Sequence, residues 1–134
     1  MYAFQYRKAK SVDDAVSTLT ADGDAKLLAG GQSLVAAMKL RLAQPSTLVD
    51  LGTIADLRYI KVGKDEVTIG AMTTHATVAA SSELNKAIPA LAALAGDIGD
   101  RQVRNMGTIG GSIATNDPAA DYPAACLGLA ATIV

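Results

Sequence analysis

The sequence predicts a protein of the α+β class, with a small N-terminal βαβ unit of mostly parallel strands and the beginning of a second α+β unit. Two observations support this class. Short apolar runs alternate with stretches of helical periodicity in the first 50 residues, as in strands joined by helical crossovers. Beyond them, two short apolar runs flank a four-residue loop, which indicates an antiparallel hairpin. We place the first unit over residues 1–55 and the second, truncated unit over residues 56–134.

The first unit is expected to alternate helices and strands. Its expected elements are a helix over 11–20, a strand over 26–29, a helix over 34–42 and a strand over 47–49. Ser11 suits the N-cap of the first helix. Gly30 and Gly31 follow the first strand. Because helical crossovers join parallel strands, this glycine turn lies at the carboxyl end of its strand, where α/β proteins usually bind ligands.

The second unit begins with the hairpin and continues with short helices. The hairpin strands are expected over 59–62 and 67–69, and helices over 74–80, 89–95 and 119–130. Pro89 suits a first helical turn and Gly96 a helix end. Residues 96–111 contain five glycines among charged residues, so we expect a long functional loop there. A strand-like run over 132–134 ends the sequence.

Composition excludes several classes of protein. The 12 Lys and Arg against 13 Asp and Glu give a net charge of −1, and half of the residues are apolar, as in globular proteins. Four Tyr, one Phe and no basic stripe disfavour a nucleic-acid partner. The single cysteine, Cys126, forms no internal disulfide or cysteine metal cage, and we expect no metal site. With no signal-like apolar stretch and no membrane span, a cytoplasmic location is expected.

The first candidate binding segment is the junction between strand 26–29 and the following helix. It consists of Ala29, Gly30, Gly31, Gln32 and Ser33. Glycines let the backbone approach a ligand, and amides at a helix start point outward with the positive end of the helix dipole. Such a junction binds phosphate without a lysine. An ordinary tight turn with Ser33 as N-cap explains the same residues equally well.

The second candidate segment repeats the glycine pair between hydroxyl residues. It consists of Thr108, Ile109, Gly110 and Gly111, followed by Ser112. Two such segments would grip a diphosphate from two sides, although a glycine hairpin or a sheet bend is an equal alternative for this segment alone. Neither G-x-G-x-x-G nor G-x-x-x-x-G-K-[ST] opens a helix, which disfavours a Rossmann dinucleotide site and a P-loop kinase.

The remaining polar residues are weaker candidates. Asp117 and Asp121 lie four apart across a helix start, where Asp117 suits the N-cap and Asp121 a hydrogen bond from ribose or ribityl hydroxyls. His75 is interpreted as a helix-surface or helix-start residue, and no catalytic residue is assigned. Cys126 is interpreted as a buried small residue. Arg101 and Arg104 are interpreted as solvated charges in a loop. The alternative is that they neutralise a diphosphate or the acidic surface of a partner.

The two glycine segments together resemble a known family. Residues 29–33 followed by Met38-Lys39, and residues 104–111 followed by Asp117-Pro118-Ala119-Ala120-Asp121, are similar to the FAD-binding medium subunit of molybdenum hydroxylases. That family includes carbon monoxide dehydrogenase and xanthine dehydrogenase. The likeness extends over essentially the whole chain, from an opening like Phe4-x-Tyr6 to its end.

This resemblance implies a flavin domain of the vanillyl-alcohol-oxidase type. Ala29 to Ser33 and Thr108 to Gly111 would hold the FAD diphosphate, and Asp121 would bind the polyol. A molybdopterin-binding large subunit would oxidise the substrate, and a small subunit with 2Fe-2S clusters would relay the electrons. The flavin of this subunit would pass them to an external acceptor, so that the chain is an oxidoreductase subunit active only within its complex.

Members of the family usually continue well beyond residue 134, so the resemblance also implies an N-terminal fragment. We expect such a fragment to self-associate or to bind FAD weakly, because a truncated sheet leaves an open edge and apolar surface. Two other functions stay open on the sequence. One is a standalone FAD-dependent oxidase or reductase of the same fold, and the other is a non-enzymatic phosphate-binding module.

Overall fold

Five short strands and eight short helices build the protein. The computed structural model describes all residues from 1 to 134. The strands are β1 (Gln5–Lys8), β2 (Lys26–Leu28), β3 (Thr47–Asp50), β4 (Ile60–Val62) and β5 (Val67–Ile69). The α-helices are α1 (Val12–Ala21), α2 (Leu34–Lys39), α3 (His75–Ala80), α4 (Ser82–Ala87), α5 (Pro89–Asp97), α6 (Arg101–Met106), α7 (Ile109–Thr115) and α8 (Asp121–Gly128). A 3-10 helix covers Ala55–Leu57. These elements confirm the α+β class.

The N-terminal strands form a three-stranded parallel sheet in the order β1-β3-β2. The predicted β2-α2-β3 crossover is therefore confirmed, and Leu27 of β2 lies opposite Val49 of β3. Helix α1 begins as expected, with the Ser11 hydroxyl accepting a hydrogen bond from the Asp14 amide at 3.1 Å. The apolar core of this part consists of Ala9, Ala15, Ala25, Val49 and Ile54. Alanines let helix and sheet backbones approach closely, so a short strand set suffices to bury them.

The second part packs helices around its own apolar core. The antiparallel hairpin of β4 and β5 is confirmed, with Lys61 opposite Thr68. Helices α3, α4, α5, α7 and α8 contribute the core residues Val78, Leu84, Leu91, Ala95, Ile109 and Tyr122. Pro89 occupies the first turn of α5, as expected. The division of the chain at residue 55 stays a prediction.

The helix expected over residues 34–42 is shorter than predicted. It ends at Lys39, because Leu40 caps it and Arg41 adopts a left-handed backbone with φ of 62°. Ser33 occupies the N-cap position of α2 as expected, but its backbone is helical and its side chain makes no capping hydrogen bond.

The expected long loop over residues 96–111 is wrong. Helix α5 runs through Gly96 to Asp97, and helix α6 then occupies Arg101–Met106. The Asp100 carboxylate accepts a hydrogen bond from the Val103 amide at 2.8 Å and so starts α6. Helix α7 begins inside the same stretch, with Thr108 as its N-cap. The capping side chains of Asp100 and Thr108 therefore start two helices within this glycine-containing stretch.

The C-terminal expectations also need correction. Helix α8 covers Asp121–Gly128 rather than residues 119–130, and Ala120 is its N-cap. Asp117 lies in the preceding turn, where its carboxylate accepts a hydrogen bond from the Ala119 amide at 2.8 Å. Asp117 and Asp121 therefore do not share a helix face. Residues 132–134 form no strand, since no other strand lies beside them to complete the backbone hydrogen bonds.

Strand β1 and helix α4 were absent from the sequence expectations, as were α6, α7 and the 3-10 helix. Strand β1 pairs with β3 in register with Thr47–Asp50, a contact across 42 residues that local sequence does not encode. Helix α4 starts at the Ser81 hydroxyl, which accepts a hydrogen bond from the Leu84 amide at 3.2 Å. Across the whole chain, every helix is too short or too polar to cross a lipid bilayer.

Candidate functional site

The first glycine segment, Ala29–Ser33, connects β2 to α2. Gly31 adopts a left-handed backbone with φ of 73°, and its carbonyl accepts a hydrogen bond from the Val35 amide at 3.0 Å. The five consecutive amides from Gly30 to Leu34 donate no hydrogen bond within the chain. Successive free amides around a left-handed residue form a concave donor surface for an anion. The phosphate-binding interpretation of the segment stays a prediction.

The second glycine segment, Thr108–Gly111, is the first turn of α7 rather than a loop. Its three amides after Thr108 are all engaged inside the protein. Ile109 donates to the Thr73 carbonyl at 3.0 Å, Gly110 to the Ala71 carbonyl at 2.9 Å, and Gly111 to the Thr108 hydroxyl at 3.1 Å. The amides of Ile109 to Gly111 are therefore not free donors, and the assignment of this segment to the diphosphate stays a prediction. The acceptors at Ala71 and Thr73 come from a distant segment, which spacing along the sequence does not reveal.

The two glycine segments nevertheless meet in space. A Cβ atom on Gly30 would lie 2.7 Å from the Gly107 Cα and would collide with the Met106 carbonyl. On the other side, a Cβ on Gly111 would lie 3.4 Å from the Cβ of Ala29. Segments about 80 residues apart in the sequence thus form one junction, with backbone packed on backbone. Gly30 and Ala29 of the first segment therefore lie beside Gly107 and Gly111.

His75, to which the sequence assigned no role in the site, lies beneath this junction. His75 is the first residue of α3 and only 5% exposed, so it is a helix-start residue but not a surface one. Its amide donates to the Gly107 carbonyl at 3.0 Å. The neighbouring Thr74 pairs with Thr108 in an antiparallel bridge. A lone histidine at a helix start carries no sequence signal for this contact, because the partner segment is more than 30 residues away.

The imidazole of His75 packs against the phenol ring of Tyr122, with the ring centroids 5.3 Å apart. The Nδ1 atom of His75 and the hydroxyl of Tyr122 are both buried without a hydrogen-bond partner. Burial lowers the pKa of His75, since the charged imidazolium would lose its hydration. Burial also raises the pKa of Tyr122, and the nearby Cys126 and Asp121 add to this shift. Both rings are therefore neutral near pH 7.

The other polar candidates have distinct environments. Asp121 is exposed at the start of α8, and its carboxylate accepts no hydrogen bond from the chain. Arg104 is not a free loop charge, because its guanidinium donates to the carbonyls of Ile98 at 3.2 Å and Gly99 at 2.8 Å. Arg101 is exposed on α6, and Cys126 is partly buried on α8. His, Cys, Asp and Glu side chains form no group of three or more suited to a metal ion.

The protein resembles subunits of known multi-subunit enzymes. It is 47% identical over 132 residues to the carbon monoxide dehydrogenase medium chain of Hydrogenophaga pseudoflava, covering 98% of this chain and 46% of that one. It is 42% identical over 127 residues to the nicotine 6-hydroxylase medium subunit of Paenarthrobacter nicotinovorans, covering 95% and 45%. The chain therefore spans just under half the length of these relatives.

The fold agrees with this likeness. A solved structure of carbon monoxide dehydrogenase from Hydrogenophaga pseudoflava, lacking the Mo-pyranopterin moiety of its cofactor, matches with a TM-score of 0.90 and 48% identity. The match covers 92% of this chain and 44% of that one. Residues 2–134 match the family model described as the FAD binding domain in molybdopterin dehydrogenase. The chain belongs to this family of FAD-binding domains of molybdopterin dehydrogenases.

Proposed function

We propose that this chain binds FAD with the first glycine segment on the diphosphate, and that it serves as the electron-transfer flavin subunit of a molybdenum-containing dehydrogenase. The observation that supports this most directly is the run of five free amides from Gly30 to Leu34. A diphosphate offers many acceptor oxygens and no donors, which matches a surface made of donors alone.

The site suits a diphosphate without a lysine. Each hydrogen bond from an amide to a charged oxygen contributes about 1.5–3 kcal/mol, so several together would hold a dianion. The start of α2 adds a partial positive charge, although a six-residue helix adds little. Ala29 contributes a small side chain, and the Gln32 amide group lies 3.4 Å from the Gly30 carbonyl, which shapes the segment. Residues 29–33 thus act chiefly through their backbone.

The second glycine segment supports the site in a different way. Thr108 and Ile109 fix the start of α7. Gly110 leaves room for Ala71, and Gly111 lets α7 lie close to Ala29 of the first segment. Asp121 has an exposed carboxylate with no partner in the chain, and we assign it to a ribose or ribityl hydroxyl. A hydroxyl donating to a carboxylate is a charge-assisted hydrogen bond.

The proposal extends to the complex. When bound, FAD supplies reversible electron transfer, while the chain holds and orients it. By analogy with the medium chains that it resembles, the chain joins a molybdopterin-binding large subunit and an iron–sulfur small subunit with 2Fe-2S clusters. Electrons would pass from those clusters through FAD to an external acceptor. We place this complex in the cytoplasm, which the single free cysteine supports. The alternative of a flavin linked covalently to His75 is disfavoured by burial of that ring.

An FAD titration of glycine variants tests the site. Gly31→Val forces a β-branched side chain into a left-handed backbone, so the free amides turn away from the diphosphate. We expect its FAD dissociation constant to rise about tenfold or more, as expected for one lost charged hydrogen bond. Flavin fluorescence quenching measures this constant.

Gly23→Val is the matched control, since a Cβ there meets no atom within 4 Å and the backbone is not left-handed. We expect the control to bind FAD as the parent chain does. Absence of FAD binding by the parent chain, or equal affinity of both variants, would contradict the proposed function.

A further inference from the structure

The imidazole of His75 lies directly under Gly107. A Cβ atom on Gly107 would be 2.5 Å from Nε2 and 2.8 Å from Cδ2 of His75, so the ring occupies the space of a side chain at position 107. Gly107 has φ of −61° and ψ of 143°, a conformation open to any residue. Glycine is therefore required at this position by the close approach of the ring and not by backbone strain.

Gly107 in turn carries the first glycine segment. A Cβ on Gly30 would lie 2.7 Å from the Gly107 Cα, which means that the two backbones touch without any side chain between them. The contacts form a stack in which Tyr122 supports His75, His75 supports Gly107, and Gly107 supports Gly30. A change in ring size at position 75 should therefore move the first glycine segment, because close-packed groups leave no empty space to absorb the change.

We propose that His75 is a positioning residue. Its imidazole sets the position of Gly107 and, through it, of the first glycine segment, so that the amides of Gly30 to Leu34 can donate hydrogen bonds to the diphosphate. This inference rests on the proposed function and deepens it. The ring acts by its shape and neutral state. The Nδ1 atom of His75 and the hydroxyl of Tyr122 are both buried without a hydrogen-bond partner, so the ring is held in place by packing.

Substitutions at position 75 test this role. His75→Ala opens a space under Gly107, and we expect an FAD dissociation constant about tenfold higher or more, as one amide–phosphate hydrogen bond is lost. His75→Phe keeps a flat ring of similar size, and we expect affinity within about threefold of the parent chain, a change of less than one such bond. The 134-residue chain is titrated with FAD, and circular dichroism confirms that each variant is folded.

Val78→Ala is the matched control. Val78 is fully buried one turn further along α3, in the core of the second part, and removing its methyl groups also leaves a cavity. We expect this variant to lose stability but to bind FAD as the parent chain does. A merely structural role of His75 would instead give His75→Ala and Val78→Ala the same FAD affinity.

A double variant makes the test independent of any single substitution. Gly107→Ala places a methyl group against Nε2 and is expected to weaken FAD binding by pushing the segments apart. In the double variant with His75→Ala, that methyl group fills the space left by the ring. We expect the double variant to bind FAD more tightly than either single variant, which is a coupling between the two positions.

The outcomes separate the two proposals. A parent chain that binds no FAD removes the proposed function itself. A parent chain that binds FAD, together with unchanged affinity in His75→Ala or a double variant that binds no more tightly than the tighter single variant, overturns the role of His75 alone.

Discussion

Three glycines at the junction are required, one for its backbone conformation and two because neighbouring atoms approach them closely. Gly31 supplies a left-handed backbone with φ of 73°. Gly30 allows the first segment to touch Met106 and Gly107. Gly110 allows α7 to pack on Ala71, since a Cβ there would lie 2.5 Å from the Ala71 Cβ. A substitution at Gly110 therefore reports on packing, whereas one at Gly31 reports on the direction of the free amides.

Burial of His75 makes stability depend on pH. Its pKa lies below the ordinary value of 6.5 in the folded protein, so the unfolded chain binds the proton more readily. The contribution of the neutral imidazole to the free energy of unfolding is therefore fully present above pH 6.5. It is lost as the pH falls from 6.5 through the lowered pKa of His75 in the folded protein. Urea midpoints at pH 7.5 and 5.5 measure the change.

His75→Phe is the control for this pH dependence, because it keeps the ring and removes the titrating group. We expect its urea midpoint to change less than that of the parent chain between the same two pH values. The carboxylates of Asp14 and Asp22 have pKa values below 3.8, so their contribution appears only in more acidic solution. Equal pH dependence in both chains would contradict the neutral buried imidazole.

At the scale of the element, short helices depend on their caps. Most helices of this protein have six to ten residues, which is too few for stability in isolation. Side-chain hydroxyls or carboxylates of Ser11, Thr74, Ser81, Asp100 and Thr108 accept hydrogen bonds at helix starts. Helix α6 matters most for the site, since its end delivers Met106 and Gly107 to the first glycine segment.

Removal of the α6 cap tests this dependence. Asp100→Ala deletes the acceptor of the 2.8 Å hydrogen bond from Val103, and we expect a loss of about 1 kcal/mol in the free energy of unfolding. Asp97→Ala is the control, because Asp97 is exposed at the end of α5 and its side chain makes no hydrogen bond in the chain. Urea unfolding of both variants measures the difference. Equal free energies would show that α6 is held by packing alone.

At the scale of the whole molecule, two apolar cores are joined by the glycine junction. The core around Val49 lies in the parallel sheet, and the core around Val78 lies among the helices. Gly30 belongs to the first part and Gly107 to the second, so their contact ties the two parts together. A ligand at the first glycine segment therefore stabilises both parts by mass action.

Exposed apolar side chains predict association of the chain with itself. Leu40 and Leu42 are 71% and 79% exposed after α2, and Leu127 is 85% exposed on α8. Burial of such surface between copies is favourable, by roughly 25 cal/mol per Å² of apolar area. We expect sedimentation velocity to show species larger than a monomer at tens of micromolar.

A polar double variant controls for this association. Leu42→Glu with Leu127→Glu adds charge at two exposed sites without disturbing either core. We expect a larger monomer fraction than in the parent chain at equal concentration. A parent chain that sediments as a single monomeric species would contradict the prediction.

The sequence determined the local features of this protein. Periodicity and caps correctly indicated α1, α3 and α5, the parallel β2-α2-β3 unit and the β4-β5 hairpin, because these depend on neighbouring residues. Residue motifs also indicated the family to which the chain belongs. The predictions for the glycine-containing stretch 96–111 and for the shared helix face of Asp117 and Asp121 were wrong. The stretch 96–111 is mostly helical, since Asp100 and Thr108 cap helices there.

Only the tertiary structure decided which glycine segment has free donors. The amides of Gly110 and Ile109 are engaged by carbonyls of Ala71 and Thr73, whereas those of Gly30 to Leu34 have no partner in the chain. It also decided that His75 is buried under Gly107. The physical reason is that the energy of each group depends on its hydrogen-bond partner or packing neighbour. When that neighbour comes from a distant segment, the local sequence pattern does not indicate it.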